Sequence, residues 1–404
     1  MDKVITVVTQ QELAQKLYLA RRASGMSQEE VADVLSVSRP TISQIETGRR
    51  GVSSLEMAKL AKLYGRSLSS FFEEDFERRE DPLIILFRAT TLQPEDQQVI
   101  KDFEQLCRTY ADLEKLLELD NEVLLPDYSE IGEPRNKMEA IHQGEQVASS
   151  ERHRLGIGDD PIRDVFELLD SQRVRLFVRP LQDTGISGIF LYDHSIGPCM
   201  LINGAEHRNR LAFNAAHEYA HVLLDRKLQA HASTASRFLG ETDPRGELLE
   251  VRANSFAAAF LLPKDGILRF LWDRGKVYRH RHALDVVDIL SLQRAFGVSY
   301  QAALYRLQNL NWLERSKREE LARHSPDRLA RVLGLLNEDE IVQEGRPVQN
   351  YSPRYIYLVL EAYRQEKISL GKLAELLSIG ITEARELVWD LELDTETKSI
   401  DQEV

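Results

Sequence analysis

The stretch His217-Glu218-Tyr219-Ala220-His221 decides how the middle of this chain is read. Residues four apart on a helix lie one above the other, so both imidazoles point the same way. Two neutral imidazoles side by side make half of a tetrahedral zinc site, and Glu218 between them stands where it can act as a base. A five-residue pattern with three fixed positions recurs by chance in long proteins, so its surroundings matter. Arg208 to Asp225 reads as one helix. Leu211, Ala215, Val222 and Leu223 form its buried side, and the small Ala220 permits close packing.

A catalytic zinc usually takes three protein ligands. The next helical run, Glu247 to Leu262, ends at Pro263 and follows a loop with Asp243, Pro244 and Gly246. It offers Glu250 as the expected third ligand. Glu247, one turn earlier on a neighbouring face, is the reserve. Most helix glutamates are simply solvated; the histidine pair is what raises Glu250 above them.

Phe213-Asn-Ala-Ala-His217-Glu-Tyr-Ala-His221 is followed by Glu250-Val-Arg-Ala253-Asn254-Ser-Phe256-Ala257 and Leu-Leu-Pro263. Together these resemble the ImmA/IrrE family of zinc-dependent endopeptidases. The strand-like Gly197–Asn203 and the helical Val298–Leu310 fit the same family, and the resemblance runs over residues 150 to 315. It implies that His217, His221 and Glu250 bind zinc and that Glu218 is the general base. Tyr219-Ala220 replaces the aliphatic-Gly pair often found there, which bears only on packing. No oxyanion donor is assigned, although Tyr219 and Tyr192 have the right chemistry.

The N-terminal region reads differently. After an extended start (Val4 to Val8), Gln11–Ser24 is an amphipathic helix closed by Gly25. Ser27-Gln28-Glu29-Glu30 has capping-box spacing and opens a second helix. A tight turn at Ser36-Val37 leads into Ser38-Arg39-Pro40-Thr41-Ile42-Ser43-Gln44-Ile45-Glu46, stopped by Gly48. Ala32, Val37, Ile42 and Ile45 are spaced for mutual burial, which describes a helix-turn-helix. Leu55–Tyr64 and Leu68–Phe72 complete an expected five-helix bundle.

Residues 11–72 resemble the repressor-type (XRE) helix-turn-helix domain. That resemblance sets Arg39, Pro40, Thr41, Ser43 and Gln44 on the face toward a major groove of an operator, where Arg suits guanine and Gln suits adenine. Gln28 is then expected to bond a phosphate, and Arg49 and Arg50 to add salt-dependent affinity. The alternative is a helical bundle used for dimerisation or protein contacts.

At 404 residues, two or three domains are expected. Cys107 and Cys199 are too few and too far apart in sequence for a disulfide framework, as in a reducing cytoplasm. No apolar run approaches the ~20 residues that span a bilayer. The net charge of −13 excludes a uniformly basic nucleic-acid binder. Residues 1–72, however, hold ten Lys/Arg against seven Asp/Glu, a balance of +3 that leaves −16 for the remainder. The two ends are expected to meet different partners.

Between them lies the charge-dense joint Glu73–Asp81. Val99, Phe103, Leu106, Tyr110, Leu113 and Leu117 then form an a/d seam over about three heptads, for a dimerising coiled coil or for intrachain packing. Asp160-Pro161 opens a helix. Strands are expected at Val174–Val178, Gly188–Tyr192 and Cys199–Asn203, giving a small antiparallel sheet whose edge could hold an extended substrate. In the tail, Ile368–Ile379 echoes Ser27–Val37 and suggests a degenerate helix-turn-helix-like module for partners or dimerisation. His142, His280, His282 and His324 lack paired spacing and are expected at the surface. Lys398–Val404 is expected to be disordered.

The expected fold is α+β and mostly helical. Residues 1–75 form the DNA reader, 76–150 a linker with the heptad helix, 151–315 a zincin-like domain, and 316–404 a C-terminal helical domain. The expected function is that of a cytoplasmic, homodimeric regulator. Its zinc endopeptidase would cut a repressor, an antitoxin-like protein or the chain itself under stress. The competing reading is a non-catalytic antitoxin or repressor with a structural or sensory zinc fold that binds its promoter and a cognate partner. Neither needs a membrane.

Overall fold

A computed structural model describes residues 9–23, 26–64, 68–72, 93–119, 125–183, 185–193, 196–205, 208–228, 230–234, 244–275, 284–324 and 351–389. The extended start, Gly25, the charged joint, His280, His282 and Lys398–Val404 lie outside them. The chain divides into two compact units, Met1–Leu92 and Gln93–Val404.

The first unit contains α1 (Gln10–Ala23), α2 (Gln28–Leu35), α3 (Arg39–Glu46) and α4 (Ser54–Leu63), followed by one 3-10 turn, Ser69–Phe72. The capping box forms: the Ser27 hydroxyl accepts from Glu30 N, and the Glu30 carboxylate accepts from Ser27 N. Ser36 takes a left-handed conformation (φ 57°) and ends α2. Val31, Ala32, Ile42 and Ile45 enter a core with Leu17, Leu60 and Phe71. The expected fifth helix is thus a single 3-10 turn. Serine is a weaker helix former than alanine or leucine, so a Ser-Ser pair propagates a helix poorly.

The second unit is built on a four-stranded sheet of order β1-β3-β2-β4, with β1 Arg175–Arg179, β2 Ile186–Asp193, β3 Gly197–Asn203 and β4 Ala230–Thr234. β2 runs antiparallel to both β3 and β4, whereas β1 runs parallel to β3. The sheet is therefore mixed, where the sequence suggested antiparallel pairing throughout. The reason lies in β3, every residue of which is buried. This most apolar strand takes the centre, between β1 and β2, so the β2–β3 hairpin folds back alongside β1.

Helices cover both faces. On one lies α8 (Arg208–Leu224), which packs on β2 and β3 and is backed by α9 (Pro244–Leu261) and α6 (Lys137–Arg154). On the other lies α5 (Pro94–Leu116), against β1, β3 and the C-terminal α14 (Pro353–Arg364). The heptad helix therefore packs inside its own unit. Its buried seam runs through Ile100, Phe103, Cys107, Tyr110, Leu113 and Leu117, so it sits one residue later at two of the predicted positions, with Val99 and Leu106 only half-buried. Glu114 of α5 anchors it by accepting from Arg175 Nη2 (2.5 Å) and Arg354 Nη2 (2.9 Å). The thiols of Cys107 and Cys199 meet across this interface, and burial pushes the Cys107 thiol up.

The remaining helices are α7 (Val165–Ser171), α10 (Lys264–Asp273), α11 (Val286–Phe296), α12 (Tyr300–Asn309), α13 (Arg315–Leu321) and α15 (Leu370–Leu377). Residues 381–389 are also helical. Among the described residues, no helix is long and apolar enough to cross a membrane.

Candidate metal centre and nucleic-acid interface

Helix α8 is buried along most of its length, and it brings two imidazoles and a carboxylate with it. His217 is 5% exposed, and Glu218 and His221 are fully buried. The two Nε2 atoms stand 3.2 Å apart. From α9, Glu250 places Oε2 3.2 Å from His217 Nε2 and Oε1 3.8 Å from His221 Nε2. Glu247 is exposed and takes no part. Among the described residues, His217, His221 and Glu250 are the one group of three that could hold a metal ion.

The outer ring nitrogens explain the fit. His221 Nδ1 lies 2.8 Å from Asp225 Oδ2, and His217 Nδ1 lies 3.1 Å from Asn254 Oδ1. A carboxylate and an amide oxygen only accept, so each Nδ1 carries the proton and each Nε2 turns a lone pair inward. Two lone pairs and a carboxylate converge on one point, an arrangement that calls for a cation. A tetrahedral ion holding nitrogens at ~2.0–2.1 Å would separate them by about 3.3–3.4 Å, close to what is seen. Burial works against a charge on His217. The hydrogen bond and charge of Glu250, with the charge of Glu218, outweigh it and raise the His217 pKa.

The supporting shell runs deeper. Buried Arg252 donates to Asp225 Oδ1 as well as to Gly132 O and Gln143 Oε1, and so fixes the carboxylate that fixes His221. Behind Glu218 stands Gly188 of β2: a Cβ there would lie 2.6–2.8 Å from the Glu218 side chain. The missing side chain is the space the glutamate occupies. Tyr219 points elsewhere, donating to Glu151 of α6 (2.5 Å), while Arg226 covers the Tyr192 ring.

Asp225, Asn254 and Gly188 were not singled out from the sequence. Asp225 follows His221 by four residues, a spacing that signals a helical partner. Asn254 follows Glu250 by the same interval. Gly188 carries no local signal, because its neighbour is thirty residues away.

In the first unit, Arg39, Pro40 and Gln44 are exposed on α3, with Thr41 and Ser43 half-exposed. Arg49 is exposed as well. Two expected phosphate ligands already have protein partners. Arg50 pairs with Glu56 at 2.8 Å. Gln28 Nε2 donates to Glu46 Oε2 (2.8 Å), whose carboxylate also binds Arg21 in the core.

Two candidate sites thus stand on the two units: a helix-turn-helix with a polar outward face, and a His/His/Glu cluster that could hold a metal ion, with a buried glutamate between the histidines. Residues 169–308 match the family model of the IrrE N-terminal-like domain, Peptidase_M78, and residues 17–71 match the helix-turn-helix model HTH_3. The chain joins a repressor-type helix-turn-helix domain to an ImmA/IrrE-like peptidase-family domain. No curated protein matches it. The crystal structure of ComR from Streptococcus suis aligns over 95% of this chain and 96% of that chain at 13% identity. Its TM-score of 0.15 does not show a shared fold.

Proposed function

We propose that this protein is a cytoplasmic DNA-binding regulator whose second unit is a zinc-dependent endopeptidase. It acts on a repressor, an antitoxin-like protein or the chain itself, so that cleavage under stress changes transcription. The observation that carries this reading is the convergence of His217 Nε2, His221 Nε2 and the Glu250 carboxylate, with both ring protons held on the far side.

In this reading His217, His221 and Glu250 hold the ion. Bound zinc supplies a Lewis acid that polarises a peptide carbonyl and makes water more acidic. Glu218, packed against Gly188, accepts the proton of the attacking water and returns it to the leaving amine. The Arg252–Asp225 pair holds His221 in one orientation, with the ring proton on Nδ1. β4 forms an edge of the sheet beside the strand that carries Gly188, and an extended substrate could add to that edge. In the first unit Arg39 and Gln44 read bases while Arg49 contacts phosphate.

The test begins with metal content of the purified protein beside His217→Ala. One zinc per chain, lost in the variant, supports the site; a well-folded protein that takes up no zinc overturns it. Glu218→Gln then separates catalysis from binding. It should keep zinc and operator affinity yet lose regulation in cells. A Glu218→Gln strain that regulates normally would favour the non-catalytic regulator instead. Arg39→Ala/Gln44→Ala tests the reader: operator selectivity should disappear while the zinc content stays.

A further inference from the structure

A cavity of about 340 Å³ opens in the second unit between α6, the end of α9, the start of α10 and α12. Its volume suits a small molecule. Ala259 on its wall lies nine residues beyond Glu250, about 13 Å further along α9. Neither the proposed metal centre nor the reader contributes a residue to it.

Two buried guanidinium groups line this cavity. Arg152 is 3% exposed and donates to three backbone carbonyls, Gly158 O (2.7 Å), Phe260 O and Asp160 O. It has no ion pair among the described residues, and burial lowers its pKa to about 10 despite Asp159 and Asp160 nearby. Arg306 is 4% exposed. Its Nε donates to Leu262 O (3.0 Å) and its Nη1 to Glu145 Oε1 (2.5 Å), while Nη2 has no hydrogen-bond partner among the described residues. Phe260 and Leu262 stand at the end of α9, so both arginines also cap that helix. Carbonyl dipoles hold a guanidinium in place, but a buried charge is ordinarily met by a charge. The third cation is Lys264, the exposed first residue of α10. Its N-cap, Pro263, offers no side-chain acceptor, so the first-turn amides beside the cavity are uncapped. Two of the three acids in the lining are already neutralised, Glu145 by Arg306 and Asp159 by Arg269 at 3.3 Å. Asp265 alone remains against Arg152 and Lys264.

We propose that this cavity binds a phosphoryl group, carried by a small phosphate monoester or present as free phosphate. The forked N–H groups of arginine match phosphate oxygens in geometry as well as charge, and an uncapped helix start adds amide donors. Glu145, Ser149 and Arg152 follow one another at spacings of four and three on α6, and so share a face. The exposed Ser149 hydroxyl on that face is a further donor beside the two guanidinium groups. An occupant joins the ends of α6 and α9 to the start of α10, and it needs neither the ion nor DNA.

Isothermal titration calorimetry of the full chain tests this, at constant ionic strength with chloride as the background anion. Inorganic phosphate should bind once per chain at millimolar concentration or below. Glycerol 3-phosphate and glucose 6-phosphate separate the two sources. If the ligand is a monoester, at least one of them binds about tenfold tighter than inorganic phosphate; if it is free phosphate, neither binds more tightly. Lys264→Glu and Ser149→Asp change exposed residues and should each weaken phosphate about tenfold or more, with circular dichroism unchanged. Arg49→Ala in the reader and His217→Ala at the metal centre should bind phosphate as the wild type does. No binding of inorganic phosphate, or binding that Lys264→Glu and Ser149→Asp leave intact, overturns the proposal. So does binding lost in His217→Ala or Arg49→Ala, since the anion would then sit on the metal or on the reader.

Discussion

Asp225 governs which nitrogen of His221 carries a proton. Its Oδ1 is held by Arg252 and its Oδ2 faces His221 Nδ1. In Asp225→Asn the amide oxygen should stay with Arg252, leaving the NH2 group to face the ring. That pairing puts the imidazole proton on Nε2, where it blocks the ion. Zinc affinity should fall tenfold to a hundredfold or more, read by competition with a chromophoric chelator. An unchanged affinity would remove Asp225 from the tautomer argument. Gly188→Ala probes the other side of the site. Its Cβ would strike Glu218 at Cγ, Cδ and Oε1, all side chain and none backbone, so Glu218 should change rotamer while the strand stays. Zinc content and stability should remain while peptide cleavage falls by two orders of magnitude or more, the ~10²–10⁴-fold typical of a misplaced general base. Cleavage at the wild-type rate would show that Glu218 works from wherever the alanine pushes it. These residues mark how far the sequence could be read. Spacing marks His217 and His221 because helical geometry is local, whereas Glu250 is marked only as a carboxylate on the next helical run, with Glu247 in reserve, and by the family resemblance. Gly188 faces Glu218 only through strand-to-helix packing, which no local pattern encodes.

At the scale of elements, α6 and α9 approach each other backbone to backbone. Gly144 faces α9 so closely that a Cβ would overlap the Arg252 carbonyl and come within 2.8 Å of Phe256 N. Both are helix backbone and cannot turn aside. Gly144→Ala should therefore cost about 1–3 kcal/mol despite alanine's better helix propensity. The urea midpoint should drop, followed by tryptophan fluorescence; a rise would mean that propensity dominates. Because α9 carries Glu250, Arg252 and Asn254, the variant should also hold zinc less tightly. The long amphipathic helices were legible because burial repeats along them with a 3.6-residue period. The sheet was less so. Alternation cannot say whether β1 runs with or against β3, and β4 is a short Ala-His-Ala-Ser-Thr run without a strand's apolar signature. The seam of α5 shifted for a related reason: a heptad register presumes a facing helix, whereas this helix lies on a twisted sheet.

At the scale of the whole molecule, the ion of the proposed centre would join α8, which lies on the sheet, to α9, which packs against α6. Metal binding is then part of the stability of the second unit, in proportion to how far zinc exceeds its dissociation constant. All three tryptophans, Trp272, Trp312 and Trp389, belong to that unit and none to the reader. Tryptophan fluorescence during heating therefore follows the peptidase-family unit alone. A strong chelator should lower its transition by several degrees, since ~100-fold saturation contributes about 2.7 kcal/mol. Operator binding at room temperature should survive the same treatment, because no ligand of the proposed ion lies in the first unit. Readdition of zinc should restore the transition in the wild type and fail to do so in His217→Ala. An equal melting temperature with and without the chelator, in protein shown to lose its zinc, would mean that α8 and α9 are held by packing alone. The ion would then contribute chemistry without contributing to the fold.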